Sequence, residues 1–188
     1  MSWQPLRARI RWSTGCTCWR KMKISSIWMR GVLQMAAEKA GWGKPLAAEH
    51  YHGIACFGCF SSYMAEVVEI SMENAQPRVH RVVGVIDCGQ VINPAILEQQ
   101  IQGGVIYALA NALRAKITID KGRVVQGNFD DYEPIRMNEA PVVEAYFVQS
   151  TEVPTGAGEP PVPPLASALC NAVFAATKKR VRVLPVVS

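Results

Sequence analysis

The residues best suited to chemistry lie in Thr155-Gly156-Ala157-Gly158-Glu159-Pro160-Pro161-Val162-Pro163-Pro164, which runs into an apolar segment from Leu165 to Thr177. One carboxylate is set in a loop of glycines and prolines directly before a helix-forming stretch. Gly156 and Gly158 permit a positive φ or the close approach of a bulky ligand, and Pro164 can serve as the first helical residue. A carboxylate held beside apolar residues gains proton affinity, which makes Glu159 a candidate general base. The plainer reading is a helix-entry loop whose acid complements the N-terminal dipole.

A second unusual stretch is Asn93 to Leu113. Asn93 is placed to cap a helix opened by Pro94, and Leu97, Ile101, Val105, Ala108, Leu109 and Ala112 form its apolar stripe. Gly103 and Gly104 interrupt the helix at about 1 kcal/mol each relative to alanine. Something must press against that turn, either another part of the backbone or a large ligand.

The elements that must position these residues can be read in outline. Met29–Gly43 reads as a short helix with Val32, Leu33, Met35, Ala36 and Ala40 along one side, stopped at Gly41. Gly53–Ser71 and Arg78–Cys88 are β-rich runs separated by a polar turn containing Pro77, which predicts an antiparallel hairpin. In the first run Ala65, Val67 and Glu69 alternate with Glu66, Val68 and Ile70, so both faces are partly apolar, as in a sheet covered by helices. Arg114–Phe129 reads as strand, Asp-Lys-Gly turn and strand, and Val142–Val148 as a further strand. The expected class is α+β, with mixed and antiparallel strands packed against helices.

At 188 residues, 49% hydrophobic and 19% charged, the chain is of a size and composition for one packed domain. Its net charge of +5 is concentrated near the start: Arg7, Arg9, Arg11, Arg20, Lys21, Lys23 and Arg30 all precede the first acid, Glu38. The body has no basic stripe with interleaved aromatics, which argues against nucleic acid as a partner. No apolar run approaches the roughly 18 residues of a membrane span. Of six cysteines, only Cys56 and Cys59 form a CxxC, and the residues after them read as a strand rather than the helix a redox motif needs. His50 and His52 read as loop residues and His80 as an ordinary strand residue, without ligand partners at metal spacing. Asp130 and Asp131, adjacent in sequence, are poorly placed for a catalytic dyad.

Gly158-Glu159-Pro160-Pro161, with Pro164–Thr177 and Arg180–Pro185, resembles the C-terminus of molybdenum hydroxylase large subunits, the xanthine dehydrogenase and aldehyde oxidase family. The branch it is most similar to is that of isoquinoline 1-oxidoreductase β-subunit-like proteins. The resemblance runs from about Arg30 to the end. It implies that residues 30–188 are the C-terminal portion of a molybdopterin-binding domain, incomplete by itself. Residues 1–29 do not resemble the family and are read as an ill-ordered or artefactual lead-in. By the resemblance, Glu159 takes a proton from a hydroxyl on molybdenum during hydroxylation of an N-heterocycle or aldehyde with water as oxygen donor. The family's Gln-x-Glu-Gly segment assigns a cofactor contact to Gln100, and Gly103, Gly104, Gly156 and Gly158 are expected to bind the cofactor with it. Gln102 stands where the family has glutamate, removing a charge.

The implied cofactor is molybdenum-molybdopterin cytosine dinucleotide. The implied partners are the rest of the large subunit, a small subunit carrying 2Fe–2S clusters, and a small-molecule substrate. Bacterial cytoplasm and periplasm are both compatible with the sequence. The chain is expected to be inactive alone; the competing classes are a non-catalytic binding or scaffold module and a small protein built on Cys56 and Cys59.

Overall fold

The computed structural model describes residues 25–187, so the reading of residues 1–24 lies outside them. Helix α1 spans Ser25–Ala40, beginning before the expected start at Met29. Its buried residues Val32, Leu33, Ala36, Ala37 and Ala40 recur at helical spacing and form one stripe. Gly41, at φ +69, ends the helix in the left-handed conformation that glycine adopts without steric cost.

Three antiparallel strands follow: β1 Tyr51–Cys59, β2 Ser62–Glu73 and β3 Gln76–Asp87. The run expected to be a single strand from Gly53 to Ser71 is therefore two. It reverses at Phe60 and Ser61, whose φ values of 51 and 59 make a tight two-residue turn. Turns of this kind normally carry Asn-Gly or Asp-Gly, so nothing in the sequence punctuates the reversal. The expected polar turn is Asn74–Ala75, and Pro77 lies inside β3.

Helix α2, Pro94–Leu113, starts as expected: the Asn93 side chain accepts the Ile96 amide hydrogen bond at 3.2 Å. The apolar stripe read from sequence is buried throughout. Two short strands, β4 Ile119–Asp120 and β5 Arg123–Val124, form a separate hairpin turned at Lys121–Gly122. Strand β6, Val142–Phe147, then joins the main sheet parallel to β3, giving the order β1-β2-β3-β6. Helix α3 spans Val162–Thr177, so Pro164 is its third residue rather than its first. Prolines are tolerated there because first-turn amides have no intrahelical acceptor.

The sheet is covered on both faces. α1 packs on one side against Ala65, Val67, Val83 and Val85. α2 and α3 pack on the other, burying Ile101, Leu109, Leu165 and Leu169 against Met64, Val68, Val82 and Ile86. Each such buried aliphatic side chain contributes about 1.5–3 kcal/mol. Gly53 sets the depth of α3: a Cβ there would overlap the backbone of Ala168 and Ala172. This is the expected α+β arrangement, with strands of mixed direction packed against helices.

Candidate functional site

The segment leading to Glu159 is fastened step by step to the ends of the sheet strands. Val148 donates its amide to the Ile86 carbonyl at 2.9 Å, extending the β3–β6 pairing. Gln90 then donates to Glu152 at 2.9 Å, and Thr155 to Cys88 at 2.9 Å. Gly89, at φ +73, makes that crossing possible, since a Cβ would overlap the Val153 carbonyl. Gly156 donates to the Phe60 carbonyl at 3.2 Å, and the Ser62 hydroxyl donates to the Gly156 carbonyl at 2.5 Å.

Beyond this point the loop meets α2. A Cβ on Gly104 would lie 2.9 Å from Pro161 Cβ, so the pressure inferred on that turn comes from the loop that carries Glu159. Pro160 and Pro161 are buried. Gly158 lies beside Gln100, whose Oε1 would be 3.6 Å from an added Cβ. The Glu159 carbonyl accepts the Val162 amide at 2.9 Å as α3 begins.

Neither Gly156 nor Gly158 is among the positive-φ glycines; close approach explains Gly156, whereas an added Cβ at Gly158 would meet only ordinary contact. For Gly156 the neighbour is Phe60, whose Cβ would be 2.7 Å from an added Cβ. Gly103 differs, since its Cα faces open space. It lines a groove of roughly 500 Å³ between α2 and the 132–135 loop, with Gln102, Tyr107, Tyr132, Pro134 and Ile135. Gln102 donates to Glu98 at 3.2 Å along α2, which gives the residue at the departure from the family pattern a partner within its own helix.

The structure therefore brings Gln100, Gly104, Gly158 and Glu159 together where the turn of α2 meets the start of α3. It does not bury the carboxylate. Glu159 is exposed, so the apolar pocket expected to raise its proton affinity is not formed by the described residues. Cys59 is close enough that burial, and then the Glu159 charge, push its thiol pKa up. Cys56 packs on the α1 face of β1, and strand alternation sends Cys59 to the other, so the CxxC does not converge on one point. Among the described residues no group of three His, Cys, Asp or Glu side chains could hold a metal ion.

One constellation was not legible in the sequence. His50 and His52 both reach Glu69, at 2.7 and 3.3 Å, and the His50 ring stacks on His80 at 4.5 Å. His52 is in β1 rather than a loop, directly opposite Glu69 of β2. His80 also bonds Ser71 at 2.8 Å. Their separations in sequence gave no signal, because strand pairing alone brings them together.

The fold is a four-stranded sheet between helices, with the loop that carries Gly156, Gly158 and Glu159 fastened at its rim. Residues 8–141 match the family model for the molybdopterin cofactor-binding domain, and the chain belongs to that family. That match begins inside the segment read as a lead-in and ends before Glu159. The chain is 29% identical over 160 residues to isoquinoline 1-oxidoreductase subunit beta of Brevundimonas diminuta, covering 82% of this chain and 20% of that protein. It is 34% identical over 137 residues to a putative xanthine dehydrogenase molybdenum-binding subunit of Escherichia coli, covering 69% of this chain and 18% of that one. Among solved structures, quinoline 2-oxidoreductase from Pseudomonas putida 86 aligns with a TM-score of 0.59 and 27% identity, over 67% of this chain and 17% of that chain. The chain thus spans about a fifth of the length of the curated relatives it matches.

Proposed function

We propose that this chain supplies the base and one cofactor contact of a molybdenum-dependent hydroxylase acting on N-heterocycles or aldehydes. The observation that carries the reading is the meeting of Gln100 with the Gly158–Glu159 loop on one open surface of a chain in the molybdopterin-binding family. The donor set fits such a group: the exposed Gln100 amide, which can both donate and accept, lies beside Gly158, one residue before the exposed Glu159. Gln100 would hold the cofactor, and the bare edge of Gly158 leaves it room. Gly104 and Gly156 act indirectly, by letting Pro161 and Phe60 lie close. When bound, the molybdenum centre would accept the electrons and activate water-derived oxygen.

Glu159 then takes the proton from the attacking oxygen onto one of its Oε atoms. Docking of the remaining polypeptide would exclude water from around the Glu159 carboxylate. That remaining polypeptide forms the other walls of the site, and the chain alone is inactive. The cytosine dinucleotide form of the cofactor and a 2Fe–2S subunit as electron acceptor complete the reading, supported by the resemblance to bacterial hydroxylases. Exposed Ile92, Ile96, Tyr107, Phe129 and Met137 provide apolar surface for the larger assembly.

The test is Glu159→Gln in the assembled enzyme. Turnover is expected to fall by at least about 10²-fold, as for loss of a general base, with molybdenum and pterin content unchanged. Retained turnover overturns the assignment.

A further inference from the structure

We infer that Ser62, together with Thr155, is a positioning latch that fixes the Glu159 loop to the turn between β1 and β2. The inference rests on the reading of Glu159 as the base. Ser62 is fully buried although the turn beside it is open, with Phe60 61% exposed. A buried hydroxyl is costly unless bonded, and this one is bonded twice across 93 or more residues of sequence. Its proton goes to the Gly156 carbonyl at 2.5 Å, so at 2.7 Å the Thr155 hydroxyl donates to Ser62 Oγ.

The arrangement holds Gly156 from both sides. Its amide is bound by the Phe60 carbonyl at 3.2 Å and its carbonyl by Ser62, so neither adjoining peptide plane can turn freely. Phe60 presses on the bare side of the same glycine. From there only Ala157 and Gly158 precede Glu159, whose carbonyl is already bound into the first turn of α3. The carboxylate hangs on a short span between two anchors, one of which is the Ser62 hydroxyl. Chemistry is steep in position: a 1 Å displacement costs about 10²-fold in rate. Ser62 does not itself reach the carboxylate; it acts through Gly156.

The experiment has two readouts. In the chain itself, Ser62→Ala is expected to speed amide hydrogen exchange at Gly156 about tenfold, the equivalent of one lost buried hydrogen bond, while Val82–Ile86 of β3 keep their protection. Thr155→Ser, which keeps a hydroxyl, is expected to retain the protection, and Thr155→Val to lose part of it. In the assembled enzyme, Ser62→Ala is expected to lower kcat by about 10²-fold with KM within about twofold and molybdenum content unchanged. Unchanged exchange at Gly156, or equal loss of protection throughout β3, overturns the latch. Should Ser62→Ala fail to fold, Thr155→Val carries the same measurement with Ser62 intact. Failure of the base reading shows separately, as turnover retained by Glu159→Gln with Gly156 still loosened in Ser62→Ala.

Discussion

Glu66 stands directly opposite Gly84 across the β2–β3 ladder, on the sheet face covered by α2 and α3. Both carboxylate oxygens are sealed from solvent and have no hydrogen-bond partner among the described residues. Gly84 cannot be larger, since a Cβ there would lie 2.8 Å from Met64 Cε and 3.1 Å from Ile101 Cγ2. The glycine gives room for the packing around the acid, and burial holds the Glu66 pKa well above the ordinary carboxylate value of 4.5. Burial thus favours the neutral form of this side chain, which makes its contribution to stability depend on pH.

Because the folded chain binds this proton more tightly than the unfolded one, the contribution of Glu66 is fully present below pH 4.5 and is lost as pH rises toward the folded value. Glu66→Gln keeps the shape and removes the titration. The urea midpoint of the variant is expected to gain on the original chain progressively from pH 5 to pH 9, with the m-value unchanged. Parallel profiles would show that the carboxyl does not titrate within the core.

The two adjacent glycines of α2 should respond in opposite directions to the same substitution. Gly103→Ala meets open space, so only the helix preference acts, and a gain of about 1 kcal/mol is expected. Gly104→Ala gains the same preference but drives its methyl to 2.9 Å from Pro161, and overpacking of this kind costs about 1–3 kcal/mol. The net is expected to be neutral to destabilising, with faster proteolytic cleavage in the 152–160 loop. Equal gains at both positions would show that Pro161 does not press on the helix.

That contrast marks where the sequence was informative. Gly103–Gly104 announced a close approach, yet which glycine is pressed, and by what, depends on a loop more than fifty residues downstream. The same holds elsewhere. The Asn93 cap, the stripe of α2 and the stop at Gly41 are local and were legible, whereas the Phe60–Ser61 reversal uses residues that do not advertise a turn. The exposure of Glu159 was missed for another reason: glycines and prolines around a carboxylate suit an open helix-entry loop as well as a buried acid. The histidine cluster on Glu69 follows from strand register, which no short spacing encodes.

That cluster should make the fold sensitive to acid. Burial holds the His52 pKa below its ordinary 6.5, outweighing the bonded Glu69. His80 is also lowered, first by burial and then by the charge of His50. Burial acting alone would raise Glu69, but hydrogen bonds from His50 and His52 carry it below 4.5. In each case the folded chain binds its proton more weakly than the unfolded one, so stability is present above the ordinary value and lost as pH falls. The thermal midpoint is expected to drop below pH 6.5 and again below 4.5, and His52→Gln to flatten the first step. An unchanged first step in that variant would assign it to other groups.

The β2–β3 turn offers a substitution that runs against the usual cost of glycine. Asn74 and Ala75 both occupy the left-handed region, at φ 51 and 65, and they alone connect Glu73 to Gln76. Asparagine tolerates this conformation through its short polar side chain, but alanine is strained there by about 1–2 kcal/mol. Ala75→Gly creates Asn-Gly, the pair that two-residue hairpins of this twist prefer. The relief outweighs the extra entropy glycine carries in the unfolded chain, about 0.4–1 kcal/mol. An unfolding free energy higher by up to about 1 kcal/mol, read as a raised urea midpoint at unchanged m-value, is expected, with faster refolding if the hairpin forms early. A lower midpoint would mean that Ala75 does not hold a positive φ in solution.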